Sequence, residues 1–377
     1  MDVTLSTEDA RRAFAIAGAV CAKQGAKAAP NWSKRVLVDA RDGGLFVRGT
    51  DLLLTASVRV DARVSKPGLH AVPGNVAALI GKMPAKTVRL RVWRNAWVRV
   101  ESGKSRAQVA RVPGEEQPDV KPIEGESVEL ALAELAPMLA RVLVATDPKH
   151  TLYRGVLFSS EGGKLVLAGT DQYRLVEART DIVCELPGRV LVPIPLVRMV
   201  QRYAGKADGS VRLAFASGDS EGEFAAVSFR FADGVELSGA IPAIKFPGYA
   251  ALLPTGFDFA VRVQRRELAD AIKRAAMYEQ VPVGHTRLEP GRRLLRVSSR
   301  DETGEVVTEI AAEFGRGTTD CRKPYPLTFQ GRFVADWLKS IAASEDVDLR
   351  FTGPERPAEF VDHEERGIRC VVMPINN

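Results

Sequence analysis

Two aspartates, Asp51 and Asp171, end identical Gly-Thr-Asp triplets in the apolar runs "VRGTDLLLTASV" and "LAGTDQYRLVEA", with Thr50 and Thr170 120 residues apart. Brought together, two such carboxylates could serve as general acid and base. Their repetition points to a turn instead, because Thr and Asp side chains at a strand end accept hydrogen bonds from the backbone that follows. "GNVAALIGKM" (74–83) resembles a phosphate-binding loop, but Gly74 to Gly81 is too long and Met83 stands where a magnesium-binding hydroxyl belongs. "DHEER" (362–366) begins like a zinc-protease helix and lacks the second histidine four residues on. His70, His150 and His285 have no Cys or His neighbours, and Cys21, Cys184, Cys321 and Cys370 form no C-x-x-C pair. There is neither a nucleophile elbow nor a dinucleotide-binding glycine fingerprint. The sequence therefore predicts no catalytic residue, no metal ligand and no cofactor.

The cations are more informative. Arg198, Arg202 and Lys206 follow i, i+4, i+8 spacing and share one stripe of a helix. Arg11, Lys23, Lys27, Arg141, Lys149, Arg266 and Lys273 lie on, or just after, other helical segments. Gathered on equivalent elements, they would line a surface for a phosphate backbone. No base-reading motif and no aromatic interleaving for single-strand stacking is evident, so the expected contact is with duplex DNA, independent of its sequence. A net charge of +6 permits such a partner without requiring it.

These side chains sit on elements that recur. Amphipathic helices are predicted at 6–20, 132–145 and 264–278, and a second set at 72–83, 192–203 and 329–341. The first set presents Ala10, Phe14, Ala17 and Cys21 in one copy and Leu132, Leu135, Leu139 and Val142 in the next. In 192–203 the apolar face reads Leu196, Met199, Val200 and Tyr203, and Pro73 and Pro193 suit helix starts. Between the helices lie runs such as "TVRLRVWRNAWVRVES" and "SVRLAFAS", broken by Gly, Asp and Asn, which read as antiparallel strands and hairpins. Each third closes on a Pro-containing stretch. The third copy is the weakest and keeps only Asp301 of the triplet. The chain thus reads as three copies of an α+β domain with two helices and antiparallel sheets, with boundaries near 122–126 and 254–258.

A length of 377 residues fits two to four domains, and 45% hydrophobic with 27% charged residues fits a globular, soluble protein. Scattered cysteines fit reduced thiols. With no apolar run of membrane-spanning length and no signal-peptide layout at "MDVTLSTEDARR", a cytoplasmic location is expected.

Three stretches resemble one family. "GTDQYRLV" is similar to the A-T-D-G-H-R-L strand of bacterial DNA sliding clamps, the beta subunits of DNA polymerase III. "FPGYAALLP" (246–254) is similar to their F-P-D-Y-x-x-x-L-P linker, and "CVVMPINN" to their Y-V-V-M-P-M-R-L ending. The resemblance covers essentially the whole chain. It implies domains at 1–124, 125–254 and 255–377, forming half of a six-domain homodimeric ring that encloses duplex DNA and tethers replicative and repair polymerases without catalysis.

It also implies a pocket for short linear motifs of polymerases and the clamp loader. Its residues here would be Tyr153, Thr170, Gln172, Tyr173, Arg174 and Leu175, with Pro247, Ala251 and Leu252 from the linker and Val371, Val372, Met373, Pro374 and Ile375 from the C-terminal tail. An apolar, Met-containing cleft suits aliphatic and aromatic anchors, with Arg174 orienting the peptide. Ala107, Val109, Met277 and Tyr278 would meet across the ring contact. Several positions depart from the family. Gln172-Tyr173 replaces Gly-His, Ala251 stands where Arg is common, Asn376-Asn377 replaces Arg-Leu, Ala107 replaces an aromatic, and Ile194 and Pro195 occupy usually basic positions. These changes motivate a second reading: a specialised clamp with an altered client pocket, serving an accessory polymerase, a mobile replicon or antibiotic resistance.

Overall fold

Helices form where apolar residues recur at helical spacing, and each is shorter than its sequence pattern. The computed structural model describes all residues except 24–25, 95, 121, 148–153, 219–223, 245, 279–284, 315–323, 342, 365–366 and 376–377. Lys149, Tyr153, His150, Cys321, Asn376 and Asn377 lie outside the described residues. The helices are α1 (Thr7–Gly18), α2 (Val76–Gly81), α3 (Leu132–Leu143), α4 (Ile194–Ala204), α5 (Arg265–Ala275) and α6 (Gly331–Ser340). At the start of α1 the Ser6 hydroxyl accepts from the Asp9 amide at 3.0 Å, which caps the helix. Ala10, Phe14 and Ala17 are buried as expected, while Cys21 falls beyond the helix end.

Two details of the helix expectation change. Pro73 does not open a helix. It ends strand Gly68–Pro73 opposite Arg35, where a missing N–H is tolerated, and α2 begins only at Val76. In α4 the buried face is Leu196, Val197, Val200 and Ala204, one position round from the expected one, so Met199 and Tyr203 are only partly covered.

The strands repeat their order three times, always antiparallel. Within one group, 68–73, 35–41, 44–50 and 54–60 are neighbours in that order. The same arrangement recurs as 190–193, 155–161, 164–170 and 174–183, and again as 327–329, 286–290, 294–300 and 305–314. A second order recurs as 2–6, 87–93, 97–102, 105–110, then 127–131, 210–217, 224–231, 235–240, then 259–264, 346–351, 358–362, 368–372. Successive copies are joined through their sheets in one register. Val235 faces Val58 and Gly239 faces Leu54, just as Ile368 faces Ala178 and Val372 faces Arg174.

By packing, the chain divides into two compact units, Met1–Leu132 with Ala207–Ile241, and Ala133–Lys206 with Pro242–Asn377. The first holds the five- and nine-stranded sheets and the second the twelve-stranded sheet. Among the described residues no helix is long and apolar enough to cross a membrane.

The Gly-Thr-Asp echo is architectural. A Cβ on Gly49 would sit 1.9 Å from the Ala17 carbonyl oxygen of α1, and one on Gly169 would sit 2.9 Å from the Val142 carbonyl oxygen of α3. Only glycine lets the strand approach its helix so closely. The aspartates close the following turns: Asp51 Oδ1 accepts from Leu53 and Leu54 amides at 3.0 and 2.7 Å, and Asp171 Oδ1 from Tyr173 and Arg174 amides at 3.2 and 3.0 Å. Asp301 does the same for Thr303 and Gly304 at 2.7 and 3.1 Å, so the third copy keeps the turn after losing the rest of the triplet. Leu52 and Gln172 hold φ values of 73° and 76° at matching positions. The side-chain and backbone hydrogen bonds of the turn hold these residues in the left-handed region.

Candidate functional site

The turn at Gln172-Tyr173 leads into strand Arg174–Val183, which brings most of the expected pocket residues together within the second unit. Thr170 donates its hydroxyl to the Arg174 carbonyl at 2.8 Å and is 6% exposed, so its side chain belongs to the turn. Arg174 pairs with Val372 and Leu175 with Val371 across the sheet. The chain then continues outward, as the Met373 amide donates to the Tyr173 carbonyl at 2.9 Å and the Ile375 amide to the Thr328 carbonyl at 2.7 Å. Val371 and Val372 are buried, and Pro374 and Ile375 half-buried.

Beneath this edge lies an apolar cluster of Leu157, Ala168, Leu175 and Tyr249, with Phe246 and Leu253 packed against it. Residues 246–254 reach it because Tyr249 begins a short 3-10 turn, Tyr249–Leu252, with its amide bonded to the Pro247 carbonyl at 2.8 Å. Tyr249 turns its ring edge to Phe246, centroids 5.8 Å apart. Burial first, and then the hydrogen-bonded Glu177 carboxylate, raise the Tyr249 hydroxyl above the ordinary phenol range, so it stays a neutral donor. Around the buried floor stand three large exposed apolar side chains: Tyr173, Leu252 and Met373. Gln172 and Ala251 are exposed as well, and Pro247 is half-buried.

Arg174 takes a different part from the expected one. Its Nε donates to Asp171 Oδ2 at 3.0 Å, and its Nη1 to Asp336 Oδ2 at 3.1 Å and the Phe333 carbonyl at 3.3 Å. Its guanidinium carbon lies 4.5 Å from the centre of the Phe333 ring, on which Tyr173 also stacks at 6.3 Å. The side chain is 8% exposed and ties the Gln172-Tyr173 turn to α6. Asp336 and Phe333 were not among the sequence candidates, since nothing in their spacing links them to residue 174.

The threefold repeat supplies an internal comparison. By matching registers, Leu157, Ala168 and Leu175 correspond to Leu37, Arg48 and Thr55 in the first copy and to Arg287, Ser298 and Glu305 in the third. Arg48 is turned to the Val120 carbonyl at 3.0 Å. At these three matched positions, only the second copy is apolar throughout.

The expected phosphate-facing cations divide by burial. Arg198, Arg202 and Lys206 are exposed on or just past α4, opposite its buried face, and Arg266 and Lys273 are exposed on α5. Arg11, Lys23 and Lys27 are exposed too, with Arg11 donating to the Met83 carbonyl at 2.6 Å. Arg141 is 6% exposed, with Nη1 directed at the Met138 sulfur at 3.7 Å, so the inward side of α3 removes it from any such stripe.

Ala107 and Val109 lie on strand Ser105–Ala110, which among the described residues pairs on one side only, with 97–102, and forms the edge of its sheet. Met277 is 79% exposed. Tyr278 lies against Gly304, where a Cβ would come within 2.6 Å of its ring, at the start of strand 305–314.

Residues 250–376 match the family model described as DNA polymerase III beta subunit, C-terminal domain. The chain is 26% identical over 353 residues to the beta sliding clamp of Pseudomonas aeruginosa, covering 90% of this chain and 91% of that one. It is 25% identical over 354 residues to the beta sliding clamp of Streptomyces coelicolor, at 90% of each. Its fold matches the crystal structure of the DNA polymerase III beta subunit from Thermotoga maritima with a TM-score of 0.89 at 22% identity, covering 100% of this chain and 99% of that one.

Proposed function

We infer that the chain belongs to the DNA polymerase III beta-subunit family and is a DNA sliding clamp, a non-catalytic processivity factor for DNA polymerase. The observation that carries this is the coincidence of clamp fold and clamp sequence along nearly the whole chain. Three domains, 1–124, 125–254 and 255–377, are our division, supported by the threefold strand order.

Ring closure follows from the repeat. Strand 54–60 pairs with 235–240, and 174–183 with 368–372, so the remaining members of the series are 305–314 and 105–110. A second copy of the chain supplies that pairing. Continuing the register puts Ser105 opposite Thr308 and Ala107 opposite Val306, with Met277 and Tyr278 beside the contact. The exposed stripe of Arg198, Arg202 and Lys206, together with Arg266 and Lys273, meets the phosphates of the enclosed duplex, a contact that carries no sequence information and so permits sliding. The apolar floor with its Tyr173, Leu252 and Met373 rim receives short linear motifs of polymerases and of the clamp loader. The protein acts in the cytoplasm, where its DNA is.

Loading onto nicked circular DNA tests the reading. The loaded protein is expected to persist on the circle and to run off once the DNA is linearised; equal retention on both would remove the sliding ring. Joining Ala107→Cys and Val306→Cys across two copies by oxidation should give a covalent dimer that no longer opens and so is not released from the intact circle, whereas no cross-link would overturn the stated register.

A further inference from the structure

The five-stranded sheet of the first unit carries a feature that its topological counterparts lack. Alternation sends Val3, Leu5, Val88, Leu90, Val98 and Val100 into the core and the intervening residues to the opposite face, where they are half-buried or exposed. Across the sheet, the outward rows run Lys66, Asp2, Arg91, Arg99, Gln108 and Arg63, Thr4, Arg89, Glu101, Arg106. Trp93 stands opposite Trp97 at the end. Six cations thus share one face with two carboxylates. The counterpart face in the second copy balances Arg212 and Arg230 with Glu129 and Glu236. In the third, Arg262, Arg350 and Arg369 meet Asp346, Asp348 and Glu359. Neither has a tryptophan.

The two carboxylates do not neutralise the face. Arg89 holds Asp2 through two bonds of 2.8 and 2.5 Å, and Glu101 is shared by Arg91, Arg99 and Arg106 at 3.3, 3.8 and 4.0 Å. The Arg99 guanidinium lies 3.4 Å from the centre of the Trp93 ring, with Arg91 at 5.0 Å. Trp97 stays 42% exposed. Read along the chain, "TVRLRVWRNAWVRVES" shows only a strand pattern; the hairpin is what sets the aromatic pair at the end of the arginine rows.

We propose that this face binds single-stranded nucleic acid, with phosphates along the cationic rows and a base stacked on Trp97. Cationic tracks joined to aromatic platforms are how single strands are held without sequence preference. A duplex keeps its base faces stacked and has no use for Trp97. An acidic peptide would satisfy the arginines and leave the ring unused. The site is separate from the duplex surface inferred above and does not depend on it.

The test is fluorescence anisotropy of a labelled oligothymidine and of a labelled duplex hairpin, using the full chain. Arg198→Glu/Arg202→Glu serves as background to remove the inferred duplex surface. In that background Trp97→Ala is expected to weaken oligothymidine binding about tenfold, within the range of one stacked base, and in the otherwise unaltered chain it should leave duplex binding unaffected. Trp97→Phe should restore most of it. Arg63→Glu/Lys66→Glu, on the strand farthest from the ring contact, should weaken the single strand and flatten its salt dependence at an unchanged thermal midpoint. The proposal is overturned if charge reversal acts while Trp97→Ala and Trp97→Phe do nothing, or if Arg198→Glu/Arg202→Glu alone abolishes oligothymidine binding. It is also overturned if polyglutamate displaces the oligonucleotide equally well with and without Trp97, which would assign the face to an acidic peptide.

Discussion

Arg174→Ala tells a scaffold arginine from a ligand-binding one. The guanidinium is 8% exposed, bonded to Asp171 at 3.0 Å, to Asp336 at 3.1 Å and to the Phe333 carbonyl at 3.3 Å. Its loss leaves Asp171, 7% exposed, with Oδ1 still accepting two backbone amides and Oδ2 without its partner. Removing one member of a buried ion pair costs about 3–5 kcal/mol, because the remaining charge is desolvated and uncompensated. Asp336 adds little, since its carboxylate is about half exposed. In a unit of this size each kcal/mol moves the midpoint by about 2–4 °C, so the transition of the second unit should fall by roughly 6–20 °C. Adding Asp171→Asn should recover part of that loss by removing the orphaned charge, and a double-mutant cycle gives the coupling. Arg174→Lys should do poorly, as an ammonium cannot reproduce the fork. Calorimetry, paired with titration of a short peptide carrying Leu and Phe anchors, reads both properties. Unchanged melting with abolished peptide binding would refute the reasoning, because the guanidinium would then serve the peptide and not the turn.

Ala168→Arg, which installs the residue that the first copy carries as Arg48, should abolish peptide binding by burying a charge in the apolar floor while the dimer survives; retained affinity would move the docking site. Met373→Ala/Pro374→Ala should weaken the same peptide by about tenfold through loss of apolar contact area, measured by titration calorimetry. Arg198→Glu/Arg202→Glu should shorten residence on circular DNA and reduce the slope of affinity against salt, and an unaltered slope would place the duplex elsewhere. His70, 2.7 Å from Arg111, is held at a pKa of about 4, first by burial and then by that guanidinium. Its folded pKa lies below the ordinary value of 6.5, so the unfolded chain binds the extra proton, and stability should fall as pH drops from about 6.5 towards 4. His70→Gln should flatten that part of the pH–stability curve in chemical denaturation, while a curve superimposable on wild type would count against a neutral His70.

Much of this molecule could be read in one dimension because it is written three times. Leu132, Leu135, Leu139 and Val142 mark one face of α3 whatever surrounds it, and all four are buried. The Asp51, Asp171 and Asp301 turns are local, each closed within three residues, so their chemistry was legible from the residues themselves. Position 73 misled because a strand-ending proline and a helix-opening proline look alike until the partner strand is known. Arg141 misled because a place on a helix does not say which side of that helix the rest of the fold covers.

What tertiary structure alone decided are the non-local pairings. Arg174 reaches Asp336 across 162 residues of sequence, and Trp93 meets Trp97 only when the hairpin folds. Of three equivalent sheet faces, one became apolar at Leu157, Ala168 and Leu175 and was covered by Tyr249. The sequence determined the repeated scaffold, since periodicity and turn chemistry act over a few residues. The places where the copies differ acquired their roles from the neighbours that folding brought to them.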